Sequence, residues 1–93
     1  MHALRISNCL KESVWLYRLT CPVTPALLAR LGEVCPVRFP MGDPFPFFKA
    51  ETPALVVTGN LGRTEIRLTE KDPSNCARAR VERILADHDG ACR

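Results

Sequence analysis

The stretch Ala54-Leu-Val-Val-Thr-Gly-Asn-Leu-Gly-Arg-Thr-Glu-Ile-Arg-Leu-Thr69 carries the most legible pattern in the chain. In its second part Ile66 and Leu68 fall on one side of an extended backbone, and Arg63, Glu65, Arg67 and Thr69 on the other, because successive strand side chains point to opposite faces. Its first part, Ala54 to Thr58, is a short apolar strand, and Gly59-Asn60-Leu61-Gly62 supplies the turn. The pattern predicts a hairpin with one buried and one wet face, the habit of antiparallel sheets.

Downstream, Asp72-Pro73 offers an N-cap with proline in the first helical turn, and Ala77, Val81, Ile84, Leu85 and His88 form an apolar stripe ending at Gly90. Upstream, residues 3–9 alternate, and Ser13 to Thr20 are rich in strand formers. They predict another hairpin, turning between Asn8 and Glu12. Val14 and Leu16 on one side, with Trp15, Tyr17 and Leu19 on the other, mark its second strand as central. Leu10, Val14 and Tyr17 also fit helical spacing, so a helix over 10–19 is the competing reading. Thr24-Pro25 opens a helix with the stripe Leu27, Leu28, Leu31 and Val34, and Cys35-Pro36 closes it.

Between the halves, residues 36–53 hold five of the eight prolines and all four phenylalanines. Such density excludes a regular helix and predicts a long loop. The fold expected is therefore α+β: a two-layer ββαββα arrangement, with a four-stranded, mainly antiparallel sheet and two helices on one face. A single domain over residues 1–93 is expected. Two ββα halves, 1–35 and 54–90, are joined by the Pro/Phe-rich loop, and partial echoes between them, such as Leu19-Thr20 with Leu68-Thr69, suggest either duplication or similar architecture alone.

Ninety-three residues are enough for one core, and 46% hydrophobic with 25% charged residues is ordinary globular usage. No apolar run approaches the roughly 20 residues needed to cross a bilayer, and the N-terminus has no secretory pattern. A cytoplasmic chain without membrane attachment is expected, and Cys92 followed only by Arg93 does not form a prenylation box. The net charge of +3 is too small to argue strongly for nucleic acid. The cysteines at 9, 21, 35, 76 and 92 are odd in number and contain no C-x-x-C pair. They read mostly as reduced packing residues, with neither a metal site nor a cofactor expected.

Catalytic candidates are thin. His2 and His88 are the only histidines, and spacing places neither beside a cysteine. Cys21, just before a helix, is electrostatically better placed for a thiolate than Cys35 at a helix C-terminus. Asp87 and Asp89 are two apart on a helix and read as a solvated end. Gly59 to Gly62 precedes a strand, so no helix N-terminus waits there for a phosphate.

By elimination the chain reads as non-enzymatic: an adaptor, inhibitor or accessory subunit binding a protein, or a second copy of itself as a homodimer. Its interface would be the exposed sheet face and the loop residues Phe39, Met41, Phe45, Phe47 and Phe48, since large rings are costly to expose. Two alternatives remain: nucleic-acid binding through Arg63, Arg67, Arg78, Arg80 and Arg83, and a thiol- or metal-dependent protein. Trp15 and Tyr17 are the only sheet aromatics positioned to stack on bases. Against the nucleic-acid reading, Glu82 and Asp87 sit four residues from Arg78 and Arg83, where they would partly neutralise the last helix.

Overall fold

Both expected hairpins form, and their inner strands meet at the middle of one sheet. The computed structural model describes residues 2–8, 13–40, 42, 46–72 and 77–91. Eight elements follow in order: β1 (His2–Asn8), β2 (Ser13–Arg18), α1 (Pro25–Leu31), β3 (Val37–Arg38), β4 (Phe47–Glu51), β5 (Leu55–Asn60), β6 (Glu65–Glu70) and α2 (Ala77–Ala91). The strands make one six-stranded sheet, ordered β1-β2-β6-β5-β4-β3, and every neighbouring pair is antiparallel. β2 is central, pairing with β1 and with β6, from Ser13 opposite Glu70 to Arg18 opposite Glu65.

The α+β class stands, but the sheet has six strands rather than four. The two additional strands come from the segment expected to be a bare loop. Pro36, Pro40 and Pro46 bracket the runs Val37–Arg38 and Phe47–Glu51, which contain no proline and pair with each other, Val37 opposite Ala50 and Arg38 opposite Lys49. Within β4 the alternation is plain: Phe48 and Ala50 are buried, while Phe47, Lys49 and Glu51 are half-buried. Proline lacks the N–H a ladder requires, so it confines these strands to the sheet margin without forbidding them.

Both helices lie over one face. The core joins Leu27, Leu28 and Leu31 of α1, and Val81, Ile84 and Leu85 of α2, to Tyr17, Phe48, Ala50, Leu55, Val57, Ile66 and Leu68 of the sheet. α1 starts as the sequence predicts: Thr24 Oγ1 accepts from Leu27 N at 3.3 Å, with Pro25 following. The described part of α2 continues through Gly90 to Ala91, one residue past the expected stop. Its buried stripe ends on Asp89 instead of His88, which is half-buried.

Gly59 has a steric duty. A Cβ there would come 2.9 Å from Cε1 of Phe48, so glycine lets this fully buried ring lie against β5. Gly62, at φ 83°, makes the β5–β6 turn in the left-handed region that side chains disfavour.

Phe48, expected at an interface, is thus a core ring with no exposure. Phe48→Ala should lower stability by about 3–5 kcal/mol, the usual cost of a buried aromatic truncation. Urea unfolding monitored by circular dichroism checks this, and Phe47→Ala, on the opposite face, should cost far less.

Candidate functional site

Among the described residues no element covers the face of the sheet opposite the helices. Register places one unbroken row across all six strands, Leu4, Leu16, Arg67, Thr58, Lys49 and Arg38. A parallel row runs through Val14, Thr69, Val56 and Glu51. Arg18 and Glu65 stand opposite each other on this face, and Phe47 stands opposite Asn60. Aliphatic residues gather toward β1 and β2, and cations toward β6, β4 and β3.

Leu4 is 39% exposed, while Val14, Leu16, Val56 and Phe47 are half-buried by their neighbours. Leu16, Phe47, Thr58 and Arg67 line a shallow depression of about 180 Å³ with Gly59 and Asn60. Glu51 is the shared counterion of Arg38 at 3.2 Å, Lys49 at 3.9 Å and Lys71 at 3.4 Å. Glu65 lies 4.0 Å from Arg18. Arg67 has no ion-pair partner among the described residues. Arg18, Arg38, Lys49, Arg67 and the Lys71 paired with Glu51, set against Glu51 and Glu65, leave this face at +3.

The residues expected to bind a partner are split by the fold. Phe47 lies on the open face and Phe39, just beyond β3, is 44% exposed, whereas Phe48 points into the core. Met41 and Phe45 lie outside the described residues. Sequence reasoning missed Leu4, Leu16 and Val56, whose signal was the strand alternation itself: each falls on the face opposite the apolar stripe.

The arginines divide as well. Arg67 lies on the open face, Arg63 is exposed in the β5–β6 turn, and Arg80 and Arg83 are exposed on α2, beyond the other side of the sheet. Arg78 is half-buried and held by partners. Its guanidinium lies 4.5 Å from the Trp15 ring centre, with Nε 3.2 Å from Glu70 and Nη1 3.2 Å from Glu82. Arg5 lies 5.8 Å from the same ring centre. Trp15 and Tyr17 therefore face the helix layer and cannot stack bases on the open face. Among the described residues Trp15 Nε1 has no hydrogen-bond partner, although it is buried.

Tyr17 is fully buried and donates its hydroxyl to Glu82 Oε2 at 2.9 Å. Burial, reinforced by that carboxylate, pushes the phenol well above its ordinary value, so it stays a neutral donor fastening α2 to β2. Burial likewise raises the thiol of Cys35, a free cysteine with no exposure. Neither group is accessible for chemistry. Among the described residues no three His, Cys, Asp or Glu side chains converge as metal ligands.

Two expectations about the last helix are corrected. Asp87 pairs with Arg30 of α1 at 3.3 Å, linking the helices, rather than with Arg83. Asp89, read as solvated, is 5% exposed: its Oδ1 accepts from Thr20 N at 2.7 Å, Thr20 Oγ1 at 2.8 Å and Cys21 N at 3.1 Å. Beside it His88 Nε2 lies 3.0 Å from the carbonyl of Pro22, to which it can only donate. Cys21 is disulfide-bonded, not a reduced thiol. Cys9, Cys76 and Cys92 lie outside the described residues.

Compared with family models, curated proteins and solved structures, the chain matches none. Among the described residues no helix is long and apolar enough to cross a membrane.

Burial alone would raise the Asp89 carboxyl, but the hydrogen bonds it accepts outweigh this and hold it well below its ordinary 3.8. A depressed folded-state pKa gives stability that is complete above the unfolded value and lost as pH falls toward the folded one. Asp89→Asn should therefore cost about 1–3 kcal/mol at pH 7 and flatten the acid limb below about pH 4. Urea midpoints measured from pH 7 down to 2 check both effects.

Proposed function

We propose that this chain is a non-enzymatic protein-interaction domain whose uncovered sheet face binds an acidic protein surface with an apolar centre. The observation that carries this reading is the row Leu4, Leu16, Arg67, Thr58, Lys49 and Arg38, over which no described element lies. Half-exposed aliphatic residues offer area to a partner, and cations beside them select its charge. Of the Phe-rich docking loop, Phe47 stands at the cationic side of that face, and Phe39 is exposed just beyond β3.

Charge argues for a different partner over a second copy. Two faces that each carry +3 repel, and electrostatic complementarity then has to come from a negative surface. Nucleic acid is less well served. Glu51 and Glu65 stand among the cations, and Phe47 is the face's one described aromatic strand residue, where single-strand binders use several stacking rings in a positive groove. The β1 edge adds a second element of recognition: its outer backbone groups are unpaired by any strand, the arrangement that accepts an added strand from a partner.

Selection of a displayed random-peptide library on the immobilised protein tests the proposal. Enriched peptides should combine acidic and apolar residues. Leu16→Asp with Arg67→Glu should weaken their binding at least tenfold by fluorescence polarisation, with the thermal midpoint unchanged within a few degrees. Basic or uncharged peptides, or equal binding to the variant, would overturn the reading. A salt-stable dimer by light scattering would replace the acidic partner with a second copy, and an oligonucleotide outcompeting the peptides would return the arginine reading.

A further inference from the structure

The two edges of the sheet are not alike. β3 is two residues long and stands between Pro36 and Pro40, so it offers little backbone to pair with. Shortness and proline are usual guards against edge-to-edge pairing. β1 runs for seven residues, from His2 to Asn8, with no proline and no lysine among them. Its start keeps regular register with β2, from His2 opposite Arg18 to Arg5 opposite Trp15, and every residue of that stretch is exposed. The register shifts between Arg5 and Ser7, a bulge that ends the regular stretch. No described strand lies outside β1. Alternate residues of an antiparallel strand direct both N–H and C=O to the same neighbour, so every second residue from His2 to Arg5 offers its pair outward.

The side chains at this edge carry a pattern of their own. His2 and Leu4 share the open face with Arg18 and Leu16, whereas Ala3 and Arg5 share the helix side with Tyr17 and Trp15. Arg5 reaches back over β2, its Nη2 2.9 Å from Ser13 Oγ and its guanidinium 5.8 Å from the Trp15 ring centre. It has no carboxylate partner among the described residues. A strand laid outside β1, at the usual spacing of about 4.8 Å, would set one row of side chains beside Leu4 and the other beside Arg5. Apolar pairs and pairs of opposite charge both stabilise neighbouring strands, so the first row favours apolar residues and the second acidic ones.

We propose that β1 is a docking edge for an extended segment of a partner protein, which adds to the sheet antiparallel to β1. Its apolar residues lie on the open face and its acidic residues on the helix side. The inference rests on the reading of an acidic, partly apolar protein partner, and adds that the segment in contact is a strand and where it lies. Antiparallel pairing continues the rule that every neighbouring pair in this sheet obeys. Backbone hydrogen bonds supply affinity in this mode, and alternate side chains supply selection. A second copy is the poorer occupant: it would bring two His2 and two Arg5 side chains along one junction, and β1 contains no acidic residue to meet them.

The probe is a blocked eight-residue peptide alternating valine with glutamate, titrated into the isotope-labelled protein. Amide hydrogen exchange should slow by roughly tenfold or more at every second residue from His2 to Arg5, and stay unchanged at Val37 and Arg38. N-methylation of alternate peptide residues should abolish binding in one phase and be tolerated in the other, the signature of a paired strand. Arg5→Glu should weaken the peptide by roughly fivefold and favour a version with lysine in place of glutamate. Unslowed exchange in β1, or N-methylation tolerated in both phases, would overturn the proposal. The variant Leu16→Asp with Arg67→Glu separates the two readings. Slowed exchange at β1 with undiminished affinity in that variant supports the added strand even as the face reading fails. Affinity lost in that variant, with no slowing at β1 in the unaltered chain, overturns the added strand and leaves the face reading standing.

Discussion

Among the described residues two helices are the cover this sheet has, and they lie on one side of it. Six strands about 4.8 Å apart span roughly 24 Å, while two helices, each about 10 Å wide, cover roughly 20 Å. One face is nearly filled, β1 is left out at its margin, and the other face is bare. The exposure of all four residues from His2 to Arg5 follows from this mismatch, as does the open row that ends on Leu4. A sheet built this way must keep its bare face polar enough to stay in water. Arg18, Arg67, Lys49 and Arg38 do that, and the same side chains give the face its sign.

The covered face shows the opposite economy. Few residues hold α2, and several are charged. At one end Arg78 stacks on Trp15 and bridges Glu70 and Glu82, with Tyr17 donating to Glu82; at the other Asp89 collects three hydrogen bonds from Thr20 and Cys21. Buried charges are costly unless paired, and here each carboxylate and guanidinium has partners in place. These contacts fix α2 lengthwise along β2 and β6, which apolar packing alone does not specify. An aspartate at a helix C-terminus opposes the helix dipole, so its donors, Thr20 and Cys21 among them, must offset that repulsion as well as the loss of water.

Much of this was legible in the residues. The alternation in Glu65 to Thr69, the two apolar sides of Ser13 to Leu19, and the Thr24-Pro25 cap led to the right hairpins, the right inner strand and the right start of the first helix, which ends at Leu31 rather than at Cys35. What misled was proline density. Phe48 and Ala50 alternate with Phe47, Lys49 and Glu51 as clearly as Ile66 and Leu68 do with their neighbours, but over only five residues within a proline-rich segment. Treating that segment as a single loop hid two strands and made one interface of four rings. The fates of Arg78 and Asp89 were not legible, because each depends on partners distant in sequence: Trp15 and Glu70 for one, Thr20 and Cys21 for the other. Helical spacing finds an i, i+4 partner such as Glu82 and is blind to the strand beneath.

The central claim is that the bare sheet face, rather than the helix surface, meets the partner. Amide chemical shifts of the labelled protein, followed during titration with an acidic, apolar peptide, address it directly. The account predicts shifts concentrated at Leu4, Leu16, Val56, Arg67 and Lys49, with α2 silent. Shifts centred on Arg80 and Arg83 would contradict it.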